Sequence, residues 1–91
     1  MRVRQFRPLD AEGVAVGMMV TARKVCETRE QIRYEFGVDR QFDRSLTIDK
    51  LAWHALPDDG RFDPSVGAVV SKIRKAWHEQ GEFPPSVVFA S

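Results

Sequence analysis

A strongly delimited helix in the last third of this 91-residue sequence constrains the fold more than any other segment. The carboxylate of Asp63 can accept hydrogen bonds from first-turn amides that have no partner within a helix. Pro64 is tolerated at the first helical position because its missing N–H loses nothing there. Gly81 supplies the left-handed residue that commonly ends a helix, and Pro84 and Pro85 prevent its continuation. The sequence therefore predicts a helix that begins at Pro64 and ends before Gly81.

The two faces of this helix differ in chemistry. One face is an apolar stripe at helical spacing, made of Val66, Val69, Val70, Ile73, Ala76 and Trp77. The remaining face carries small residues first and basic residues afterwards, among them Ser65, Ser71, Lys72, Arg74 and Lys75. We expect the apolar stripe to pack against the core and the basic residues to face solvent, near the helix end that favours positive charge.

A second, longer helix is predicted over residues 10–36. Asp10 can cap its first turn, and Gly37 follows where a left-handed residue would end it. Apolar residues recur near helical spacing at Ala11, Ala15, Met18, Ala22, Val25, Ile32 and Phe36. Thr28 and Gln31 match a capping box, so the sequence leaves open a break in this helix before Thr28.

A short third helix is predicted between these two, over residues 47–56. Thr47 is its expected cap, and the apolar stripe that follows consists of Ile48, Leu51, Ala52, Ala55 and Leu56. Pro57 ends it, because the residue before a proline is displaced from helical geometry. Residues 38–46 are interpreted as a linking loop, residues 58–60 as a turn and residues 86–90 as a terminal strand.

In this order, residues 47–90 resemble the winged helix-turn-helix family, in particular small proteins encoded by phages and mobile elements. The matching segments are LTIDKLAWHAL as the first helix of the motif, DPSVGAVVSKIRKAWHEQG as the recognition helix and EFPPSVVFA as a reduced wing over residues 82–90. The resemblance implies that residues 1–91 form one mainly α domain. Its expected architecture is a three-helix winged helix-turn-helix-like domain with a short terminal β element.

The resemblance also implies a function, namely binding of double-stranded DNA in the regulation of transcription. Residues 64–79 would enter the major groove as the recognition helix, because that is the role of the second helix in this family. The residues expected to contact nucleic acid are Arg61, Ser65, Ser71, Lys72, Arg74 and Lys75.

A non-enzymatic protein-interaction module, such as a small phage-type inhibitor of a host protein, is the alternative function. The net charge of +1 favours this alternative, because a DNA-binding protein usually carries a larger positive field. Trp53 lies beside the apolar stripe of its predicted helix, where an exposed indole would mark a partner surface.

A homodimer through residues 10–36 is a further expectation. Val16, Met18, Met19 and Val20 widen the apolar face of the predicted helix beyond what one packing surface needs. The width is explained equally by burial within one chain, and this alternative stays open. Two-fold dimers often accompany palindromic DNA sites.

Enzymatic, metal-binding and membrane functions find no support in the sequence. Cys26 is the one cysteine and His54 and His78 are the two histidines, and they lack zinc-site spacing. No nucleophile elbow, phosphate-binding loop or dinucleotide motif occurs, so we expect no catalysis, cofactor or small-molecule substrate. Residues 14–20 are the longest apolar run and are too short to span a bilayer. A single cysteine and no apolar signal segment predict a cytoplasmic location.

Overall fold

The computed structural model describes residues 19–90, and this part of the chain contains five strands and a helix. In chain order the elements are β1 (Met19–Glu27), β2 (Gln31–Val38), β3 (Arg44–Asp49), β4 (His54–Pro57), α1 (Pro64–Gln80) and β5 (Ser86–Ala90). The predicted mainly α, three-helix fold is therefore wrong. Four of the strands lie where the sequence was interpreted as helix or linking loop.

The strands form one antiparallel sheet in the order β4-β3-β2-β1-β5. The first four strands follow one another as a meander. The chain then passes through α1, which packs against β5, β1 and β2, and returns as β5 beside β1. One helix consequently covers one face of the sheet, and β5 is an edge strand of the sheet formed by the described residues.

A two-residue period explains why β2 and β3 are strands. Ile32, Tyr34 and Phe36 in β2 are fully buried, as are Leu46 and Ile48 in β3. Apart from the buried Gly37, their neighbours in sequence are half-buried or exposed, as expected when successive side chains point to opposite faces of a sheet. β-branched and aromatic residues fit such a surface well, and this alternation outweighs the looser helical spacing.

The predicted helix over residues 10–36 is wrong from Met19 onward, where β1 and β2 form an antiparallel hairpin. Residues 10–18 lie outside the described part of the chain. The helical dimer surface expected over residues 10–36 does not form from Met19 onward, because the apolar residues from Val20 to Phe36 belong to a sheet, and Val16 and Met18 lie outside the described residues. Val20 and Ala22 are buried in the core of the monomer.

The predicted helix over residues 47–56 is also wrong. Thr47 lies within β3, opposite Arg33 of β2, and is not a helix cap. Leu51, which the helical stripe placed inside, is 89% exposed in the turn between β3 and β4. The carboxylate of Asp49 accepts hydrogen bonds from the backbone N–H groups of Leu51 and Ala52 and so stabilises this turn.

Two other helix-end signals serve the sheet instead. The hydroxyl of Thr28 accepts hydrogen bonds from the N–H of Gln31 at 3.1 Å and of Glu30 at 3.3 Å, so capping chemistry is present but stabilises the β1–β2 turn. Gly37 is a β2 residue. A Cβ at Gly37 would lie 2.9 Å from the backbone nitrogen of Phe42, so the loop after β2 requires glycine there.

The prediction for α1 is confirmed at both ends. The Asp63 carboxylate accepts a hydrogen bond from the N–H of Val66 at 3.2 Å, and Pro64 occupies the first turn. Gly81 has φ 76° and donates its N–H to the carbonyl of Trp77 at 2.8 Å. Val66, Val69 and Ile73 of the apolar stripe are buried, and Val70 and Trp77 are half-buried against the core. Within the described residues, no helix is long and apolar enough to cross a membrane.

The predicted strand over residues 86–90 is confirmed as β5, but it pairs with β1 rather than forming a wing. The segment before β5 is anchored by Tyr34, whose buried hydroxyl donates a hydrogen bond to the carbonyl of Pro84 at 2.6 Å. Burial raises the pKa of Tyr34, so the phenol stays protonated and keeps its donor. The start of β5 is thereby fixed relative to the centre of the sheet.

Candidate functional site

A groove of about 250 Å³ lies between α1 and β5. We call it the α1–β5 groove, and it is lined by Lys72, Lys75, Ala76, Glu79, Val87 and Val88. The four helical residues share one flank of α1, because residues that are three, four or seven positions apart lie on the same side of a helix. The two valines belong to the edge strand, so the groove opens at the side of the sheet.

The groove combines an apolar floor with a charged rim. Ala76 and Val87 are half-buried, while Lys75 and Glu79 are exposed and Lys72 is half-buried. The long stem of a lysine can cover apolar surface while its ammonium group stays in water, which is consistent with the partial burial of Lys72. The groove therefore offers two positive charges and one negative charge around an apolar strip.

The cations of the strands and of the turn after β3 are all engaged by carboxylates. The pairs are Arg23–Glu35, Lys24–Glu27, Arg33–Asp58, Arg44–Asp59 and Lys50–Glu27. The cations of α1 differ, because Lys72, Arg74 and Lys75 form no ion pair with a carboxylate within residues 19–90. Their charge is available to a partner without first breaking such a pair.

Arg74 lies on the other flank of α1 from Lys72. It follows Lys72 by two positions, and residues two positions apart in a helix are separated by about 200° around the axis. Its guanidinium stands 5.3 Å from the ring centre of Trp53. Trp53 in turn packs against Trp77 and Phe83, each at a centroid distance of 5.5 Å. Trp53 is half-buried against the core, with its indole nitrogen buried, and it lies in a turn with φ 54° and not on a helix.

Arg61 and Ser65 lie at the beginning of α1, around a separate cleft of about 210 Å³. The side chain of Arg61 is 67% exposed and its Nε lies 3.5 Å from a carboxylate oxygen of Asp63. Asp43 and Asp63 line this cleft together with Arg44 and Arg61, so its acids balance its bases and it has no excess positive charge to attract a phosphate.

The six residues predicted for nucleic acid are thus dispersed. Lys72 and Lys75 line the α1–β5 groove, Arg74 contacts the aromatic residues on the opposite flank, and Ser71 is exposed on the outer side of α1. Arg61 and Ser65 surround the cleft at the beginning of the helix. The structure thus brings the predicted residues together in two separate pairs, Lys72 with Lys75 and Arg61 with Ser65, and not on one surface.

The outer edge of β5 presents backbone groups beside the α1–β5 groove. The N–H of Lys24 donates to the carbonyl of Pro85 at 2.8 Å, which makes these two residues a hydrogen-bonded pair. Such pairs alternate with non-bonded ones along an antiparallel ladder, so Val87 and Phe89 also direct their backbone groups to β1. The N–H and C=O groups of Ser86, Val88 and Ala90 consequently point away from β1, toward the edge.

The sequence interpretation missed the contribution of Val87 and Val88 to this site. The signal was present, because only residues 81–85 separate the end of α1 from the strand, and so short a connection keeps the two elements adjacent. The resemblance to winged helix-turn-helix proteins implied a wing for this strand, whereas the strand forms the wall of a groove.

The remaining chemically versatile side chains do not assemble. Cys26 is a free, exposed cysteine, and His54 and His78 are exposed, as expected for surface histidines. Within the described residues no three histidine, cysteine, aspartate or glutamate side chains are grouped as metal ligands. Asp58 and Asp59 lie in a turn, as predicted, and the Asp58 carboxylate raises the pKa of Arg33.

Fold and site together define the described residues as a two-layer domain, an antiparallel sheet with a single helix on one face and a groove where that helix meets the edge strand. Comparisons of this chain with protein-family models, with curated proteins and with solved structures find no match. The α1–β5 groove is therefore the feature of the described residues that indicates a function.

Proposed function

We propose that this chain is a non-enzymatic protein-interaction module that binds an acidic partner at the α1–β5 groove. The observation that carries the proposal is the position of Lys72 and Lys75. They form no ion pair within the described residues, and they stand beside an apolar strip and an exposed strand edge. A carboxylate from a partner would find two cations there without displacing a carboxylate of residues 19–90.

The free energy of binding to this groove must include contributions other than charge. An exposed ion pair contributes only about 0.2–1 kcal/mol, so the two lysines alone would supply at most about 2 kcal/mol. Burial of the apolar strip around Ala76 and Val87 contributes roughly 25 cal/mol for each Å² removed from water. High affinity at this groove therefore requires apolar contact, while the lysines by themselves select a partner of negative charge.

The helix-turn-helix mode of DNA recognition is not retained. Residues 47–56 form the end of β3, a turn and β4, so the first helix of that motif is absent. Duplex DNA bound by its phosphates is a second candidate. The observation that favours it is the exposure of Ser71, Arg74 and Lys75 on α1. Such binding would be independent of sequence and would weaken steeply with added salt.

Binding of the full chain to poly-glutamate and to a short DNA duplex, measured by fluorescence anisotropy at low and moderate salt, tests this proposal. The groove variant is Lys72→Gln with Lys75→Gln. The matched control is Arg29→Gln with Arg40→Asn, which removes the same charge from the exposed turns that follow β1 and β2. Asparagine is used because residue 40 has φ 63°, which asparagine tolerates better than most residues.

The proposal predicts that poly-glutamate binds the parent and the control alike and binds the groove variant about two- to thirtyfold more weakly. Equal weakening in both variants would mean attraction by overall charge alone, and would remove the groove from the account. Preference for the duplex, with loss of binding when Arg74 is replaced, would establish the second candidate instead.

A further inference from the structure

We infer that the partner binds as an added strand: an extended acidic segment pairs with the outer edge of β5 and places carboxylates beside Lys72 and Lys75. This inference rests on the proposed function and names its partner and its geometry. It requires an edge with available backbone groups, a sequence that permits pairing, and a groove wide enough for the side chains of the new strand.

Within residues 19–90, the backbone requirement is met at three alternate residues of β5, whose one partner among the described strands is β1. Ser86, Val88 and Ala90 direct their N–H and C=O groups away from β1, as the Lys24–Pro85 hydrogen bond establishes. An extended chain about 4.8 Å from β5 would pair with these groups and leave the existing ladder intact. Strand addition of this kind derives its affinity from main-chain hydrogen bonds and its specificity from side-chain recesses.

The sequence of β5 also permits pairing. Ser-Val-Val-Phe-Ala contains neither a charge nor a proline, the devices that commonly protect an edge strand from pairing. The opposite edge of the described sheet is different, because β4 has four residues and ends at Pro57. Proline lacks the N–H that a ladder needs, so β5 is the edge better suited to accept a strand.

The α1–β5 groove meets the third requirement. Side chains of an added strand alternate between the two sides of the sheet, so every second one would lie on the α1 side, within the groove. An acidic side chain at that position would approach Lys72 or Lys75. Glu79 lines the same groove and would repel an acid placed next to it. The favoured segment therefore has apolar residues at its centre and its acids grouped toward the lysines.

A short blocked peptide of alternating valine and threonine, with glutamates grouped at one end, is the probe for this geometry. Its analogue with lysines in place of the glutamates is the charge control. Val88→Pro removes an N–H that points to the edge and that pairing with β1 does not use. Proline is tolerated at such positions of edge strands. Val88→Ala keeps the N–H and serves as the matched control, with circular dichroism and thermal unfolding verifying the fold.

The inference predicts that the glutamate peptide binds the parent and Val88→Ala within about twofold of each other. Val88→Pro and the Lys72→Gln/Lys75→Gln variant should each bind at least about fivefold more weakly. The lysine peptide should bind more weakly than the glutamate peptide. Because poly-glutamate tests the lysines alone, failure of strand addition and failure of the proposed function give different results.

A correctly folded Val88→Pro variant that binds the glutamate peptide as well as the parent does would overturn strand addition and leave the proposed function standing. Where this variant does not fold, a glutamate peptide methylated at alternate backbone nitrogens replaces it, and undiminished binding of that peptide overturns the inference. Two other results would also reject it: binding of neither peptide, and self-association of the chain through β5 that excludes the peptide.

Discussion

The guanidinium of Arg44 in β3 donates to the carboxylate of Asp63 at 2.8 Å, and the other oxygen of that carboxylate accepts from Val66 in the first turn of α1. One side chain therefore caps the helix and attaches it to the sheet. Arg44 also binds Asp59 and the carbonyl of Arg61, so the loop before α1 is held at several points. The position of α1, and hence of its lysines, depends on this arrangement.

Removal of the Asp63 side chain should destabilise the protein measurably. Asp63→Ala loses a helix cap and one partner of Arg44, whose side chain is only 13% exposed, and we expect a cost of about 1–3 kcal/mol. Asp63→Asn keeps an oxygen for the Val66 N–H and should cost less. Urea unfolding at neutral pH measures both variants. Equal stability of Asp63→Ala and the parent would contradict the capping role.

Stability should decline in acid through the same contacts. Hydrogen bonds from Arg44 and from the Arg61 N–H lower the pKa of Asp59. Burial would raise the pKa of Asp63, but the contacts with Arg44 and the Val66 N–H outweigh it and lower this pKa as well. A folded-state pKa below the ordinary value of 3.8 means that the unfolded chain takes up protons first. The stabilisation is therefore complete above pH 3.8 and is lost as the pH falls toward the folded-state values.

Urea unfolding between pH 6 and pH 2.5 tests this dependence. Arg44→Met removes the partner of both carboxylates and should reduce the loss of stability on acidification. Some acid dependence should persist in the variant, because Lys50 and Lys24 also lower the pKa of Glu27. An unchanged pH profile in Arg44→Met would show that these ion pairs do not couple protonation to folding.

At position 53, replacement by glycine should destabilise the protein less than replacement by alanine, which reverses the usual order of the two substitutions. Trp53 has φ 54°, a conformation that costs a residue with a side chain about 1–2 kcal/mol and glycine almost nothing. Both substitutions lose the packing against Trp77 and Phe83. We therefore expect Trp53→Gly to be about 1 kcal/mol more stable than Trp53→Ala in thermal or urea unfolding. The opposite order would argue against the left-handed turn.

Addition of a methyl group at Gly37 should disturb the loop after β2. The new Cβ would lie 2.7 Å from Oδ1 of Asp43 and 2.9 Å from the backbone nitrogen of Phe42, closer than atoms normally approach. The aspartate side chain can move, but the backbone of Phe42 cannot do so without moving the loop. Gly37→Ala should therefore cost about 1–3 kcal/mol, whereas the same change at exposed Gly67 in α1 should be neutral or stabilising.

Local sequence signals predicted the ends of α1 and the position of β5, because these features depend on residues that are neighbours in the chain. Asp63, Pro64 and Gly81 determined the ends of α1 because capping and the left-handed residue act within one turn of the chain. Prolines before a short β-branched and aromatic run likewise located β5. These features do not require knowledge of the rest of the fold.

The sheet was missed because its determining contacts are distant in sequence. Ile48 and Leu56 fit a helical stripe, yet Ile48 is buried in β3 while Leu56 is 51% exposed in β4. Thr28 carries out the hydrogen bonding of a helix cap within a hairpin turn. Such residues satisfy a local pattern in either fold, and pairing between strands decides which fold forms.

The site was predicted only in part, because some of its contacts are also distant in sequence. Lys72 and Lys75 could be placed on an accessible face of α1 from helical spacing alone. Their association with Val88 depends on the return of the chain from β4 across the sheet to the far edge, which no local signal specifies. The cleft around Arg61 and Ser65 likewise depends on Arg44 of a distant strand.

Amide-resolved NMR of the full chain, titrated with the glutamate peptide, tests the central claim most directly. The account predicts slower amide hydrogen exchange at Ser86, Val88 and Ala90 and shifts at Lys72 and Lys75, with the β4 edge unchanged. Retarded exchange at β4, or shifts spread over all exposed cations without protection of β5, would contradict the assignment of the α1–β5 groove as the binding site.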